Sequence, residues 1–237
     1  MTVRTSGFEA QIVWLQQNGY HIIPLRSLVD FLRGTGPAPP SRSVVITVDD
    51  GHRTVFSELF PLVEKYDFPV TLFIYPSAIS NASYALTWEQ LRTMRANKDV
   101  DVQSHTYWHP NFNHERRRLS PRDFTTFTDL QLRRSKARLE QEVGGQIDLL
   151  AWPFGLIGAD LETQAAEAGY VAGFSIVRRR VRKGDDLLAL PRFLMTDQVG
   201  TAGLRAIVGA DRLRAIVGAD DASAADGAAP LLQFAKH

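Results

Sequence analysis

Residues 44–176 alternate short, β-branched apolar runs with stretches of helical period, and this alternation leaves few folds open. The strand-like runs are 44–48, 70–75, 100–103, 149–152 and 171–176. Between them, 55–66, 88–96, 121–143 and 159–168 carry helical spacing. Thr87 is placed to cap the second of these helices, and Gly144-Gly145 closes the third. Upstream, Phe8, Ile12 and Leu15 share one face of a helix over 8–18 that Gly19 ends. Residues 21–25 read as a short buried strand, 28–32 as a second helix closed by Gly34, and 35–42 as a Pro- and Gly-rich loop. Strands that alternate with helices imply a largely parallel α/β sheet, closed or open.

The chain of 237 residues is long enough for one large domain, assigned here to 1–200, with a C-terminal region at 201–237. Within that region Leu204-Arg205-Ala206-Ile207-Val208-Gly209-Ala210-Asp211 recurs as Leu213-Arg214-Ala215-Ile216-Val217-Gly218-Ala219-Asp220. Two short copies cannot bury a repeat core, so one copy is expected to pack as the last helix and the other to be surplus. The alanine-rich stretch 220–230 reads as loosely ordered. A net charge of +1 gives no general argument for a nucleic-acid partner, and Arg116-Arg117-Arg118 and Arg178-Arg179-Arg180 read as solvated faces. The absence of cysteine removes disulfides, thiolate metal sites and cysteine nucleophiles. The N-terminus shows no apolar signal core, and no apolar run approaches the roughly 18 residues of a spanning helix. As written the chain reads as cytoplasmic; a trimmed N-terminus would instead allow a periplasmic or extracellular protein. Its oligomeric state is left open.

The reactive residues follow strand ends. Asp49-Asp50-Gly51 closes the run 44–48, Ser104-His105 opens a phrase that ends in His109-Pro110, and Trp152-Pro153-Phe154-Gly155 follows 149–152. The C-terminal rim of a parallel barrel is where active sites are built. A turn at Gly51 lets both aspartates reach the rim, so that one can bind a metal while the other stays free as a base. The plainer alternative is turn chemistry, for which Asp-Asp-Gly is well suited. His105 and His109 have the spacing that brings two imidazoles together on one turn, yet such a pair also arises by chance. With one aspartate they make three N/O donors of the kind zinc accepts. Trp152 and Phe154 read either as core packing or as a stacking wall for a sugar ring, with a backbone N–H at the turn facing a reacting carbonyl. His21, His52 and His114 read as structural.

Taken together, these phrases resemble the polysaccharide deacetylase family, also called NodB-homology or family 4 carbohydrate esterases, over residues 8–196. Thr47-Val48-Asp49-Asp50-Gly51 is similar to its first motif, Ser104-His105-Thr106 with His109-Pro110 to its second, and Ala151-Trp152-Pro153-Phe154-Gly155 to its third. The branch it most resembles deacetylates β-1,6-linked N-acetylglucosamine polymers, through Gly19-Tyr20 and Leu190-Pro191-Arg192 as well. The resemblance implies an α/β fold, an irregular (β/α) barrel of about seven strands of NodB type. It implies a metal-dependent hydrolase that removes N-acetyl groups from a glycan containing N-acetylglucosamine, poly-β-1,6-linked or chitin-like.

By the same resemblance, Asp49 is the catalytic base, and Asp50, His105 and His109 hold a divalent ion, Zn²⁺ before Co²⁺, Ni²⁺ or Mn²⁺. The Phe154 N–H helps form the oxyanion hole, and Tyr107, Trp152 and Pro153 bind substrate. The family's third motif opens with an arginine that pairs with the base; Ala151 stands there, and Arg192 is the expected substitute from another strand. A fifth motif, Leu-x-His, which supplies a general acid, is not evident; His237 is a poor candidate. A strand expected before the first helix, with a Tyr-His phrase, is missing, which would leave a gap in the barrel. Two alternatives stay open: an amidase of the same fold for small or cyclic amides, marked by a closed pocket, and a non-catalytic carbohydrate-binding relative, marked by bound metal without acetate release.

Overall fold

The computed structural model describes residues 3–214 and 230–234. The N-terminal helix α1 (Thr5–Gln17) leads through β1 (His21–Ile22) and α2 (Leu25–Leu32) to β2 (Ser43–Asp49). A wide helical turn at Val55–Leu59 runs into α3 (Phe60–Tyr66), followed by β3 (Val70–Ile74), α4 (Trp88–Arg95) and β4 (Val100–Ser104). Then come α5 (Phe112–Arg118), α6 (Pro121–Val143), β5 (Leu149–Ala151), α7 (Ala159–Glu167), β6 (Ala172–Phe174), β7 (Phe193–Met195), α8 (Gly200–Arg214) and β8 (Leu231–Phe234). The expected strands and helices from 44 to 176 are all present. Helix α4 begins at Thr87 with a complete capping box, Thr87 and Gln90 each bonding the other's backbone N–H. Helix α5 and strand β8 are additions to the expected set. No helix among the described residues is long and apolar enough to cross a membrane.

Seven strands lie side by side in the order β6-β5-β4-β3-β2-β8-β7, each pair parallel, while β1 pairs off this path with the start of β2. The two ends of the row meet just before β7. Leu190 bridges Phe174, its N–H donating to the Gly173 carbonyl at 2.8 Å, and the Ser175 N–H donates to the Leu190 carbonyl at 2.8 Å. The sheet is therefore an irregular barrel of seven strands, as expected. The expected gap is not found among the described residues, because β8 lies between β2 and β7.

The alternation of side chains along each strand sorts residues into an interior and an outer layer. Val45, Phe73, Leu149, Ala151, Phe174 and Leu231 meet in the interior, where α2 packs against them. Val44, Ile46, Val48, Leu72, Val102, Phe193 and Leu232 face the other way, into a layer that includes α1, α3 and α8. Every residue of β2 is buried, as a parallel strand covered on both faces requires. The first copy of the duplicated segment lies within α8, whose Leu204, Ile207 and Val208 join the outer layer against α1. Most of the second copy, and the alanine-rich stretch, lie outside the described residues.

Arg178 and Arg179 are exposed, as expected of a solvated face, with Arg179 paired to Asp185 at 2.7 Å, whereas Arg180 is part-buried and donates to the Ile207 and Val208 carbonyls at 2.7 and 2.9 Å. Arg116 is part-exposed and pairs with Asp160 at 2.7 Å.

Strand β8 is tied to its neighbour on both counts, packing and hydrogen bonding. Leu232 is fully buried, and its carbonyl accepts the Thr47 hydroxyl at 3.3 Å. Leu232→Ala is expected to cost ~2–5 kcal/mol in urea unfolding. A near-zero change would mean that β8 does not dock.

Candidate active site and metal site

The interior parity of β2 carries Asp49 into the barrel, where it is 2% exposed. A buried carboxylate is stable there only if it is paired and hydrogen-bonded. Arg192, fully buried, supplies a two-pronged pairing: Nη1 to Oδ1 and Nη2 to Oδ2, both 2.9 Å. Two further guanidinium protons are used as well, Nε on the Ser175 carbonyl at 3.1 Å and Nη1 on Thr47 Oγ1 at 3.2 Å. Gln233 of β8 adds a third donor, Nε2 to Asp49 Oδ2 at 2.5 Å.

Asp50 would point outward if β2 simply continued. It does not, because Asp50 and Gly51 both take left-handed backbone, φ 76° and 72°. At Gly51 a Cβ would also sit 2.9 Å from Ile74 Cδ1, so the turn needs glycine there. The turn brings Asp50 to His105 and His109: Asp50 Oδ1 is 3.6 Å from His105 Nε2 and 3.7 Å from His109 Nε2. The histidine phrase is a loop rather than a helical turn, bent by left-handed Thr106 (φ 63°) and His109 (φ 62°). Ser104 Oγ accepts the Thr106 N–H at 3.2 Å, and Thr106 Oγ1 accepts the His109 N–H at 3.3 Å, which fixes that bend.

These three side chains fit a divalent cation. One donor atom from each lies within 4.8 Å of the others. Donors about 2.1 Å from one tetrahedral ion stand roughly 3.4 Å apart, close to the spacing seen. His105 Nδ1 lies 2.7 Å from the Ala151 carbonyl, which can only accept, so the proton sits on Nδ1 and Nε2 offers its lone pair to the cluster. Burial pushes the His105 pKa down, outweighing the nearby carboxylates, and keeps the imidazole in the neutral form a metal binds.

Around this centre stand aromatics of unequal availability. Phe154, at left-handed φ 57°, is half exposed and meets His109 edge-on at 4.6 Å between ring centres. Tyr75 lies 5.4 Å from His109, ring to ring, and its hydroxyl is 2.8 Å from that of Tyr84, itself half exposed. Burial and that hydrogen bond raise the Tyr75 pKa, so the phenol stays protonated. Trp108 is 51% exposed. Tyr107 is part-buried beneath the Arg134 guanidinium, 4.1 Å over its ring.

The comparisons with known proteins agree with this geometry. A family model described as polysaccharide deacetylase matches residues 36–173, more than half of the chain. The chain belongs to the polysaccharide deacetylase family. A poly-β-1,6-N-acetyl-D-glucosamine N-deacetylase of Staphylococcus aureus is 25% identical over 202 residues, covering 83% of this chain and 68% of that protein. The Escherichia coli enzyme of the same name is 28% identical over 121 residues, 45% of this chain, and the match spans only 18% of its length. Among solved structures, the Streptococcus pyogenes deacetylase PplD in complex with acetate superposes with a TM-score of 0.77 at 19% identity, covering 87% of each chain. IcaB from Ammonifex degensii superposes with a TM-score of 0.75 at 23% identity, covering 86% of this chain and 88% of that one. Both establish the shared fold.

Against this polysaccharide deacetylase frame, two expectations need correcting. Trp152 is not a wall of an open groove. It follows inward-facing Ala151, so parity sends it to the outer layer, where it is fully buried against Phe112 and donates Nε1–H to the Leu188 carbonyl at 2.8 Å. Pro153 is buried beside it. The exposed aromatics at the rim are Trp108, Phe154 and Tyr84. His52 is held locally, with Nδ1 2.9 Å from Thr54 Oγ1 and its ring stacked on Tyr84; His21 and His114 lie on the surface, and His237 falls outside the described residues.

The residue that sequence reasoning missed is Gln233. Its signal was present: Leu231-Leu232-Gln233 has the form of Leu-x-His with an amide at the third place. If Asp49 depends on the guanidinium, Arg192→Leu should destabilise the fold by ~3–5 kcal/mol in urea at neutral pH, and a loss below ~1 kcal/mol would show that it does not.

Proposed function

We propose that this protein removes N-acetyl groups from a polysaccharide containing N-acetylglucosamine, of the poly-β-1,6-linked type, with a divalent ion held by Asp50, His105 and His109. The observation that carries the reading is the unequal treatment of two adjacent aspartates. Asp49 is buried and paired with arginine, whereas Asp50 is turned out to two imidazoles. Two carboxylates set in different environments are suited to different tasks. The names of the sequence relatives support the substrate class.

When bound, the ion, Zn²⁺ first among candidates, would act as a Lewis acid on the acetamide carbonyl and favour ionisation of a water. Asp49 takes one proton from the attacking water as its oxygen bonds to the acetyl carbon. Arg192 keeps the carboxylate oriented for that transfer. The Phe154 backbone N–H faces the oxyanion that develops. The C–N bond then breaks, and the proton held by Asp49 passes to the leaving nitrogen, giving acetate and a free amino sugar. Trp108, Phe154 and Tyr84, exposed at the rim, offer faces on which sugar rings can stack.

Acetate release from β-1,6-linked N-acetylglucosamine oligomers, run with zinc, with cobalt and with a chelator, tests this directly. Metal-dependent release is expected. Release only from small acetamides would favour the amidase alternative, and bound metal without any release would favour a binding protein. Asp50→Ala and His105→Ala should each abolish stoichiometric zinc in calorimetry; retention in either removes that residue as a ligand. Asp49→Asn should keep zinc and lose turnover by at least ~10²-fold, the scale of a general base. A near-parental rate would remove it from that role.

A further inference from the structure

Strand β8 carries a polar group into the reaction centre that none of the family's first three motifs contains. Its register on β2 sets Leu231 beside Val45 and Gln233 beside Thr47, so Gln233 shares the interior face with Asp49. The side chain is 7% exposed. Its Nε2 reaches Asp49 Oδ2 at 2.5 Å, on the same oxygen that takes Arg192 Nη2. Its Oε1 is buried with no hydrogen-bond partner among the described residues. This orientation of the amide is the chemically required one, since a carboxylate flanked by arginine can only accept. The carbonyl end is therefore left open beside Asp49, because the two polar atoms of an amide share one carbon. A buried acceptor without a partner is uncommon and calls for an explanation in function or in a bound water.

We propose that Gln233 is a positioning residue of the reaction centre: its Nε2 holds Asp49, and its Oε1 accepts a hydrogen of the attacking water. The amide thus spans the base and the nucleophile and orients one against the other. Arg192 alone fixes the carboxylate in the plane of the fork. Gln233 adds a donor from a different strand to the oxygen that already takes Arg192 Nη2, and so restrains the carboxylate further. This rests on the deacetylase reading for the identity of the nucleophile; the bond to Asp49 does not.

The test uses the full chain with zinc bound. Gln233→Met keeps the length of the side chain and removes both polar ends. It is expected to lower kcat on β-1,6-linked N-acetylglucosamine oligomers by tenfold or more, with KM and zinc stoichiometry unchanged. A purely structural residue would not give that split, and a parental kcat would overturn the proposal. A second measurement needs no turnover. The shift in urea midpoint caused by Gln233→Met is expected to be larger in the parent than in the Asp49→Asn background, where the charge-assisted bond is already weakened. Equal shifts in both backgrounds would overturn the Asp49 contact. If the parent releases no acetate, the deacetylase reading fails while the unfolding cycle still decides on Gln233.

Discussion

A carboxylate and a guanidinium, both removed from water, sit where the barrel closes. Arg192 lies between Leu190, which is hydrogen-bonded to β6, and Phe193, which begins β7 beside β8. The residue that neutralises Asp49 is thus the one at the seam of the ring. Burying either charge alone would cost several kcal/mol, and only complete hydrogen bonding offsets that cost. The Ser175 carbonyl, Thr47 and Gln233 contribute to it, each from a different part of the wall. Closure of the barrel and orientation of the proposed base are consequently one event. A chain in which β7 or β8 failed to dock would lose both.

The same period-two geometry that puts Asp49 inside would put Asp50 outside, and the cluster of Asp50, His105 and His109 forms because the chain leaves that geometry at Asp50 and Gly51. Non-glycine residues in the left-handed region are uncommon and cost of order 1–3 kcal/mol each. Asp50, Thr106, His109 and Phe154 all lie there, which is four of the seven such residues in the described chain. They stand around one centre. The hydroxyl and N–H contacts of Ser104 and Thr106 hold two of these bends in place. Strain concentrated in this way marks the rim as the functional end, independently of any likeness to other proteins.

Much of this was legible in the sequence. The alternation of runs in 44–176 gave the parallel sheet, and the strand-end positions of Asp49, Asp50, His105 and His109 gave the site, because both depend on local patterns. The error at Trp152 arose from reading a phrase as a unit. Counting parity from Leu149 would have placed Ala151 inward and Trp152 outward. Strand β8 was not legible for a different reason. Four residues, Leu231 to Phe234, follow an alanine-rich stretch, and their strand character comes from a slot between β2 and β7 that only the assembled barrel provides. Gln233 was missed with it, because its Leu-x-Gln phrase has an amide where the resemblance leads one to look for an imidazole.

That slot bears on the chemistry of the proton. The resemblance leads one to look for an imidazole to protonate the leaving amine. The strand beside β2 presents an amide instead, and an amide has no proton to give up near neutral pH. Tyr75 packs against both histidines, but its raised pKa and its bond to Tyr84 make it a poor acid. On the proposed mechanism Asp49 is then the group, among the described residues, placed to carry the proton both ways: from water to the carboxylate, then from the carboxyl group to nitrogen. Such a shuttle requires the carboxylate to stay in one orientation through both transfers. Three donors on two oxygens, from Arg192 and Gln233, impose that constraint, so the absence of a separate acid among the described residues and the extra clamp on the proposed base are consistent with each other.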